Sequence, residues 1–514
     1  MGIFIRNAHV ITMDSSTGSE PIVRSIRIEN DVVTAVAGDL VPADGDTIID
    51  GRDRLVTPGF VNAHTHSWET FYKGRYDNLP LEMWMAMAYP ILGDSRVEPD
   101  LVRLRSTLFA IESLEAGVTT IVDDVLENPT QDWAQLSAVF DAYEEIGIRA
   151  NISGHVISKP FVDTVPFIAG YLSPEVTSEI RSHPVPTTQE YLAFSRRAFE
   201  QYHGRGNGRL RYMVAPSAPQ RCGADLLVGA TQLATEFDAE CHIHVLETKT
   251  QLVTGTEMYG GSLVEYMDRI GALSPNTTLA HGIWLTEDDL SMIASAGTSI
   301  SHNPISNLKL GSGIAPWHAL RTAGVNLGLG TDGCSSSDSP RMLDVVKAAA
   351  LLHKVTNPDF TTWPTVDEVL HAGTVGGARS ALLQDTVGTV EVGMQADLGD
   401  LRPRHHGFHA SAEARPATGV LRERLLDRYR DRGGPDRRRG RTRHHSRPFG
   451  GAGRTRRAAR RDRGTPECTR FVEQAPAGCA GDHVRQGDCD PRHRQPIQRR
   501  RTRVARLNGG AGKR

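Results

Sequence analysis

Apolar and polar positions alternate in short runs through residues 3–56, at Ile3–Met13, Ser25–Val36 and Thr47–Asp50, with Gly, Asp and Asn between them. A period of two with such breaks predicts a small antiparallel sheet ahead of the main domain. From Leu55 onward, short apolar runs alternate with longer stretches in which apolar residues recur three or four apart. The runs are the one ending at Val61, then Ile121–Val122, Ile148–Ile152, Leu210–Val214, Cys241–Val245, Thr277–His281, Thr298–His302 and Val325–Gly330, eight predicted strands. Leu101–Glu115, Gln131–Ile146, Leu226–Phe237 and Leu285–Ala296 carry the helical spacing between them. Repeated strand-helix units of this number predict an α/β fold, a (β/α)8 TIM-type barrel, with an open doubly wound sheet as the alternative. Thr365 and Glu368 have capping-box spacing and open a last predicted helix over Val366–Leu382. The expected organisation is a barrel over residues 57–382, flanked by a small β-sandwich made from 1–56 and a returning segment, 383–398, incomplete on its C-terminal side.

Charge divides the chain differently. Residues 1–400 hold 27 Lys+Arg against 50 Asp+Glu, a net of −23, whereas residues 401–514 hold 31 against 11, a net of +20. From Gly399 the periodicity stops, and 401–514 contain 30 Arg, one Lys and only 13 Leu, Ile, Val, Phe or Met among 114 residues, too few to bury a core. Basic nucleic-acid tails mix Lys with Arg and lack scattered Cys, Phe and His, so nucleic acid is not the expected partner. The expectation is instead a disordered tail translated out of frame. For 419–443, one permissible set of GC-rich codons read one nucleotide later spells VFCENGSSIDTVIVAGRIVVEDGR, a hairpin-like pattern with an Ala-Gly and an Asp-Gly turn. The encoding DNA decides this.

No start with a signal-peptide pattern and no run of about 18 apolar residues is present, and Arg6 occupies the position where myristoylation prefers Ser or Thr. The chain is expected to be cytoplasmic, with no membrane partner; the sequence leaves a homo-oligomer open. Its six cysteines include no Cys-x-x-Cys pair, which argues against a disulfide framework and a cysteine zinc site.

The chemistry gathers at strand ends. Val61-Asn-Ala-His64-Thr-His66 ends the first barrel strand after a Pro58-Gly59 turn. Alternate strand residues share a face, so both imidazoles can reach one ion at the C-terminal end of the barrel, where barrel active sites lie. Alone, His-x-His describes many packing histidines. Here further polar groups end other strands: His242-Ile-His244-Val-Leu-Glu247 the fifth, His281 the sixth, His302-Asn303 the seventh and Asp332 the eighth.

Through PGFVNAHTH, HIHVLET, AHG, SHNPISNLKLGSGIAP and GTDG, the sequence resembles the amidohydrolase superfamily, in the branch of triazine hydrolases and nucleoside or nucleobase deaminases, over residues 1 to about 398. The resemblance implies one divalent ion, zinc or alternatively iron(II), held by His64, His66, His244 and Asp332. It gives catalytic roles to Asp332, Glu247 and His281: Asp332 takes the proton of the water, Glu247 moves a proton to the ring or leaving group, and His281 steadies the attacking oxygen. His242 is then a packing or supporting residue. The branch lacks a carbamylated bridging lysine, so Lys159 is read as a loop residue.

Substrate contacts are expected from His302 and Asn303, with Ser306 and Asn307 shaping the same loop, and from Glu82 and Trp84 in the insertion after the first strand. Met83, Met85 and Met87 there either line a pocket or pack. Two departures bear on the substrate. Pro216-Ser217-Ala218-Pro219-Gln220 has Ser where nucleoside deaminases of the branch often have His, and Ser335-Ser336-Ser337-Asp338 follows Asp332 where Asn is frequent. The expected reaction is hydrolytic deamination of a small N-heterocycle such as a purine, pterin, pyrimidine or triazine. Displacement of chloride at the same carbon is the alternative, as is a product damaged by its aberrant C-terminus. The Pro-Cys-x-x-Cys signature of cytosine-acting zinc deaminases is absent.

Overall fold

The computed structural model describes residues 2–89, 96–127, 130–401 and 415–416. The tail expectations beyond Leu401, including the hairpin-like reading of 419–443, fall almost wholly outside them.

The chain opens with β1 (Ile3–Val10), β2 (Ile22–Glu29), β3 (Val32–Ala37), β4 (Thr47–Asp50) and β5 (Leu55–Pro58). β1–β2–β3 is an antiparallel meander, as the alternation predicts. The sheet as a whole is mixed, which corrects the antiparallel expectation: β4 and β5 both run parallel to β1 along its other edge. Asn7, at φ 53°, makes this possible, because the register shifts between Ile5 and Ala8 and the bent strand offers each half to a different neighbour. Ile5, Val10, Ile26, Ile28, Val56 and Leu398 form the core of this flanking sheet.

The barrel follows: β6 (Phe60–His66), β7 (Val118–Asp123), β8 (Arg149–Val156), β9 (Leu210–Pro216), β10 (Cys241–Val245), β11 (Thr277–His281), β12 (Ser299–His302), β13 (Leu327–Leu329) and β14 (Asp332–Gly333). From β6 to β13 each strand pairs in parallel with the next in sequence. β13 pairs with β12, and β14, two residues later, pairs with Thr65 and His66 of β6, so the eighth strand closes the ring. A doubly wound sheet would reverse its strand order at one point; this one does not.

Helices on the outside are fixed by local chemistry. Asp132 caps Trp133–Ile146 by accepting from the backbone N–H of Ala134 and Gln135, and Gly147 at φ 90° ends it. Thr286 with Asp289, and Thr365 with Glu368, form capping boxes. Phe109, Leu136 and Phe140 are wholly buried between helices and strands, each such side chain contributing about 1.5–3 kcal/mol.

The last predicted helix is two, Val366–Gly373 and Val375–Ser380, broken at Thr374. The break lets a glycine face reach the barrel: a Cβ on Gly376 would lie 2.0 Å from the Leu327 carbonyl oxygen, and one on Gly377 2.9 Å from Val61 Cβ. Behind it Ala378, Ala381, Leu383 and Val387 pack on Val61, Val122 and Met213, filling this end of the barrel with apolar groups. The chain then returns to the first sheet with β15 (Leu398–Leu401), three residues beyond the expected 383–398 segment, antiparallel to β5, and β16 (Arg415–Pro416) beside it. Arg149 of β8 pairs with Asp397 at 3.0 Å and ties barrel to sheet. Among the described residues no helix is long and apolar enough to cross a membrane.

Candidate active site

Four strand ends converge at the other mouth of the barrel. His66 Nδ1 lies 2.7 Å from the Asp124 carbonyl oxygen, and His244 Nδ1 lies 2.8 Å from that of Ser217. A carbonyl only accepts, so both rings carry their proton on Nδ1 and present Nε2 as a lone pair. Those two Nε2 atoms face each other at 3.2 Å. His242 Nδ1 donates to Glu240 Oε1 at 2.9 Å, and its Nε2 accepts from His64 Nδ1 at 2.8 Å. This leaves His64 Nε2, buried with no hydrogen-bond partner, as a third inward lone pair. Asp332 Oδ1 is 3.4 Å from both His64 Nε2 and His66 Nε2. Three lone pairs and a carboxylate crowded together repel one another unless a cation lies among them. Zinc–nitrogen bonds of about 2.0–2.1 Å in a tetrahedron put donors about 3.3 Å apart, close to the spacings found, so the residues present fit a divalent ion.

Burial pushes the His64 imidazole down to about 3. Burial, then the neighbouring imidazoles, holds His244 far below its ordinary value. Both are neutral near pH 7, as metal ligands must be. His66 goes the other way: burial opposes its charge, yet Asp332, Asp124 and Glu69 carry it up to about 9, so a proton and a metal cation compete for its Nε2. Burial also works against ionisation of Asp332, but His64, His281 and His66 hold that carboxyl well below the usual range.

His281 Nε2 is 3.7 Å from Glu247 Oε2 and 3.8 Å from Asp332 Oδ2. Its Nδ1 sits between Asn307 Oδ1 at 2.8 Å, an acceptor, and Asn303 Nδ2 at 3.4 Å, a donor, so either ring nitrogen can carry the proton. Burial lifts the Glu247 carboxyl above its ordinary range. Leu246, His281 and Asp332 all have positive φ, at 49°, 76° and 62°, a strain of about 1–3 kcal/mol each that the packed surroundings sustain. The turn at Leu246 precedes Glu247, whose carboxyl meets His281 of the next strand.

The structure thus brings His64, His66, His244, Asp332, Glu247 and His281 to one point, and places His242 behind His64 as its orienting partner. The expected substrate contacts divide. Trp84 and Met85 line the small space beside the imidazoles, which at about 20 Å³ has room for about one water. Glu82 turns away, accepting from Thr248 Oγ1 at 2.6 Å, and Met83 and Met87 face solvent. His302 is not brought to this space: it meets Trp317 edge-on and His353 Nε2 at 3.2 Å. Asn303 stands behind His281, and Lys159, in the loop after β8, donates to the Tyr259 hydroxyl at 3.0 Å.

Sequence reasoning missed the groups that aim the ligands. Asp124 follows the second barrel strand; its carbonyl orients His66 while its carboxylate accepts from Ser153 and, at 2.8 Å, from His155. The Asp123-Asp124 pair at a strand end was the available signal. Glu69, three residues past His66 and wholly buried, accepts from Ser335 N and Oγ at 3.0 and 2.6 Å, and Ser335 Oγ accepts from Trp84 Nε1 at 3.1 Å. Arg221 and Tyr89, which also line the space, carried no signal in spacing.

Comparison with known proteins gives the family. The family model for the amidohydrolase family matches residues 55–401. The 5'-deoxyadenosine deaminase of Methanothermobacter thermautotrophicus is 34% identical over 381 residues, covering 74% of this chain and 81% of that one. An adenosine deaminase from Xanthomonas campestris with bound zinc is 26% identical, with a TM-score of 0.67 over 84% of this chain and 98% of that one. Atrazine chlorohydrolase from Arthrobacter aurescens complexed with zinc, at 24% identity, shares the fold with a TM-score of 0.71 over 84% and 99% of the two chains. The family match runs from the start of β5 to the end of β15, and the chain belongs to the amidohydrolase family.

Proposed function

We propose that the chain is a metal-dependent hydrolase that releases ammonia from an amino-substituted N-heterocycle, with His64, His66, His244 and Asp332 holding one divalent ion, zinc before iron(II). The observation that carries this reading is the set of three inward Nε2 lone pairs and one carboxylate, with His66–His244 at 3.2 Å and Asp332 3.4 Å from both His64 and His66. Purine nucleosides are the first substrates to try, since the relatives named above include deaminases of 5'-deoxyadenosine and adenosine.

A bound divalent ion supplies Lewis acidity and brings the pKa of water from about 15.7 towards about 7. The chain's own groups do the rest. Asp332, held ionised, accepts the proton the attacking water gives up. His281, within 4 Å of both carboxylates, hydrogen-bonds the oxygen as it joins the ring carbon. Glu247, whose carboxyl burial lifts above its ordinary range, passes a proton to the ring nitrogen and then serves the departing amine. One C–O bond forms, one C–N bond breaks, and the proton from water leaves with ammonia. This favours deamination over chloride displacement, because chloride departs without a proton and an amine does not.

The test is ammonia release by the zinc-loaded chain over a panel of adenosine, 5'-deoxyadenosine, aminopterins, aminopyrimidines, aminotriazines and a chlorotriazine. Ammonia from at least one amino compound is expected; chloride release alone, or no product at all, refutes the proposal.

A further inference from the structure

His242 has no part in the reaction, yet it joins a chain of hydrogen bonds that ends at the ion. Glu240, which directly precedes β10, is 1% exposed, and Asn151 of β8 beside it is 2% exposed. Asn151 Nδ2 donates to Glu240 Oε2 at 2.8 Å and to the Ala381 carbonyl oxygen at 2.9 Å. Both partners only accept, so the Asn151 amide has one orientation. Glu240 therefore receives a donor on each oxygen, Asn151 on Oε2 and His242 Nδ1 on Oε1. The direction of every later bond follows. With its proton on Nδ1, His242 offers Nε2 as an acceptor at 2.8 Å from His64 Nδ1; that nitrogen must then carry the proton, and His64 Nε2 is left bare beside Asp332.

The other two inward imidazoles are set differently. Backbone carbonyls of Asp124 and Ser217 hold the protons of His66 and His244 on Nδ1, and no side-chain substitution removes a carbonyl. The Asp124 carboxylate is taken up by Ser153 and His155. Of the three ligands, His64 alone takes its tautomer from a side chain.

Resting on the metal-dependent reading above, we propose that Glu240, aimed by Asn151, is the positioning residue that fixes the His64 tautomer and so holds its Nε2 open for the ion. A carboxylate is needed there, and an amide of the same shape fails. Glutamine at 240 gives its oxygen to Asn151, whose donor cannot be reversed, and turns its NH2 to His242 Nδ1. The proton of His242 then sits on Nε2, that of His64 on Nε2 as well, and a cation has to displace it. Partners that orient a metal-bound histidine are each worth about 10–100-fold in ion affinity.

The experiment measures zinc affinity of the full chain by chelator competition at one fixed pH, for the wild type, Glu240→Gln and the double variant Glu240→Gln/Asn151→Ala. Melting of each metal-free protein checks folding. Glu240→Gln is expected to bind zinc about 30-fold more weakly. The double variant, in which the glutamine is free to turn its oxygen to His242, is expected to recover about tenfold of that loss. A role in packing alone predicts the reverse, because the second substitution enlarges the defect. A loss of less than about threefold in Glu240→Gln, or a double variant that binds no more tightly than the single one, overturns the proposal. Should either variant not fold, nitrogen NMR of the histidine-labelled, zinc-loaded wild type decides: a proton on His242 Nδ1 is expected, and one on Nε2 overturns the proposal. A wild type that binds no zinc refutes the metal-dependent reading and this inference with it. Zinc bound by the wild type and weakened as expected in Glu240→Gln, with no ammonia from any compound, supports the inference and places the failure in the proposed reaction alone.

Discussion

The two ends of the barrel are built from the same strands and behave as opposites. At the C-terminal mouth, His66 ends β6, His244 lies one residue before the end of β10, His281 ends β11 and Asp332 opens the two-residue β14; polar atoms there are held in fixed directions and three residues sit at strained positive φ. At the other end Val61, Val122 and Met213 close on Ala378 and Leu383, and Gly376 touches the Leu327 carbonyl. One end concentrates charge and strain that cost stability; the other is close-packed and apolar. The lesson is that chemistry and stability are separable here, and substitutions can break one without the other.

The largest effect is expected at the mouth. His244→Ala or Asp332→Ala removes one corner of the donor set, and the expected outcome is loss of the ion by elemental analysis together with loss of ammonia release. A variant that keeps both would erase the contrast. Glu247→Gln keeps every inward lone pair but loses the transferable proton. Turnover should drop by about 10²–10⁴-fold, with ion content and melting temperature unchanged; loss of the ion would instead make Glu247 a structural partner of the centre.

Gly376→Ala sharpens the comparison from the other end. Its Cβ would have to displace the Leu327 carbonyl, costing about 1–3 kcal/mol in a denaturant titration, while ammonia release per folded molecule stays at the wild-type level. Equal stability of the two proteins would show that the apolar end yields more readily than its packing implies.

The smallest effect is one of pH. Because His66 binds its proton up to about 9, a cation must displace that proton at any lower pH. Apparent ion affinity should therefore weaken by about tenfold for each unit from pH 8 to pH 6, this single proton considered alone. A chelator competition measured at both ends of that range checks it, and an affinity independent of pH would remove His66 from the donor set.

Much of this architecture was readable in advance. Periods of two and of 3.6 located the barrel strands and most of the helices, and the capping box at Thr365 lies where side-chain spacing alone puts it. His64, His66, His244, His281 and Asp332 were visible because each lies at or near the end of a strand run, and parallel strands of a barrel end on one rim. The misses share a cause. Asn7 bends β1 and admits β4 and β5 to one edge, and Gly376 demands a broken helix; both depend on what lies across the contact, which a local pattern does not carry. Likewise Glu82 was expected at the substrate because of its segment, but the helix Leu81–Ala88 turns Trp84 and Met85 inward and leaves Glu82 to Thr248.

The sequence by itself determined which strand ends bring imidazole and carboxylate, because side-chain alternation and strand direction are local properties of the backbone. Only the tertiary structure decided which nitrogen of each ring points inward. That choice rests on the Asp124 and Ser217 carbonyls and the His242–Glu240 pair, which other strands supply.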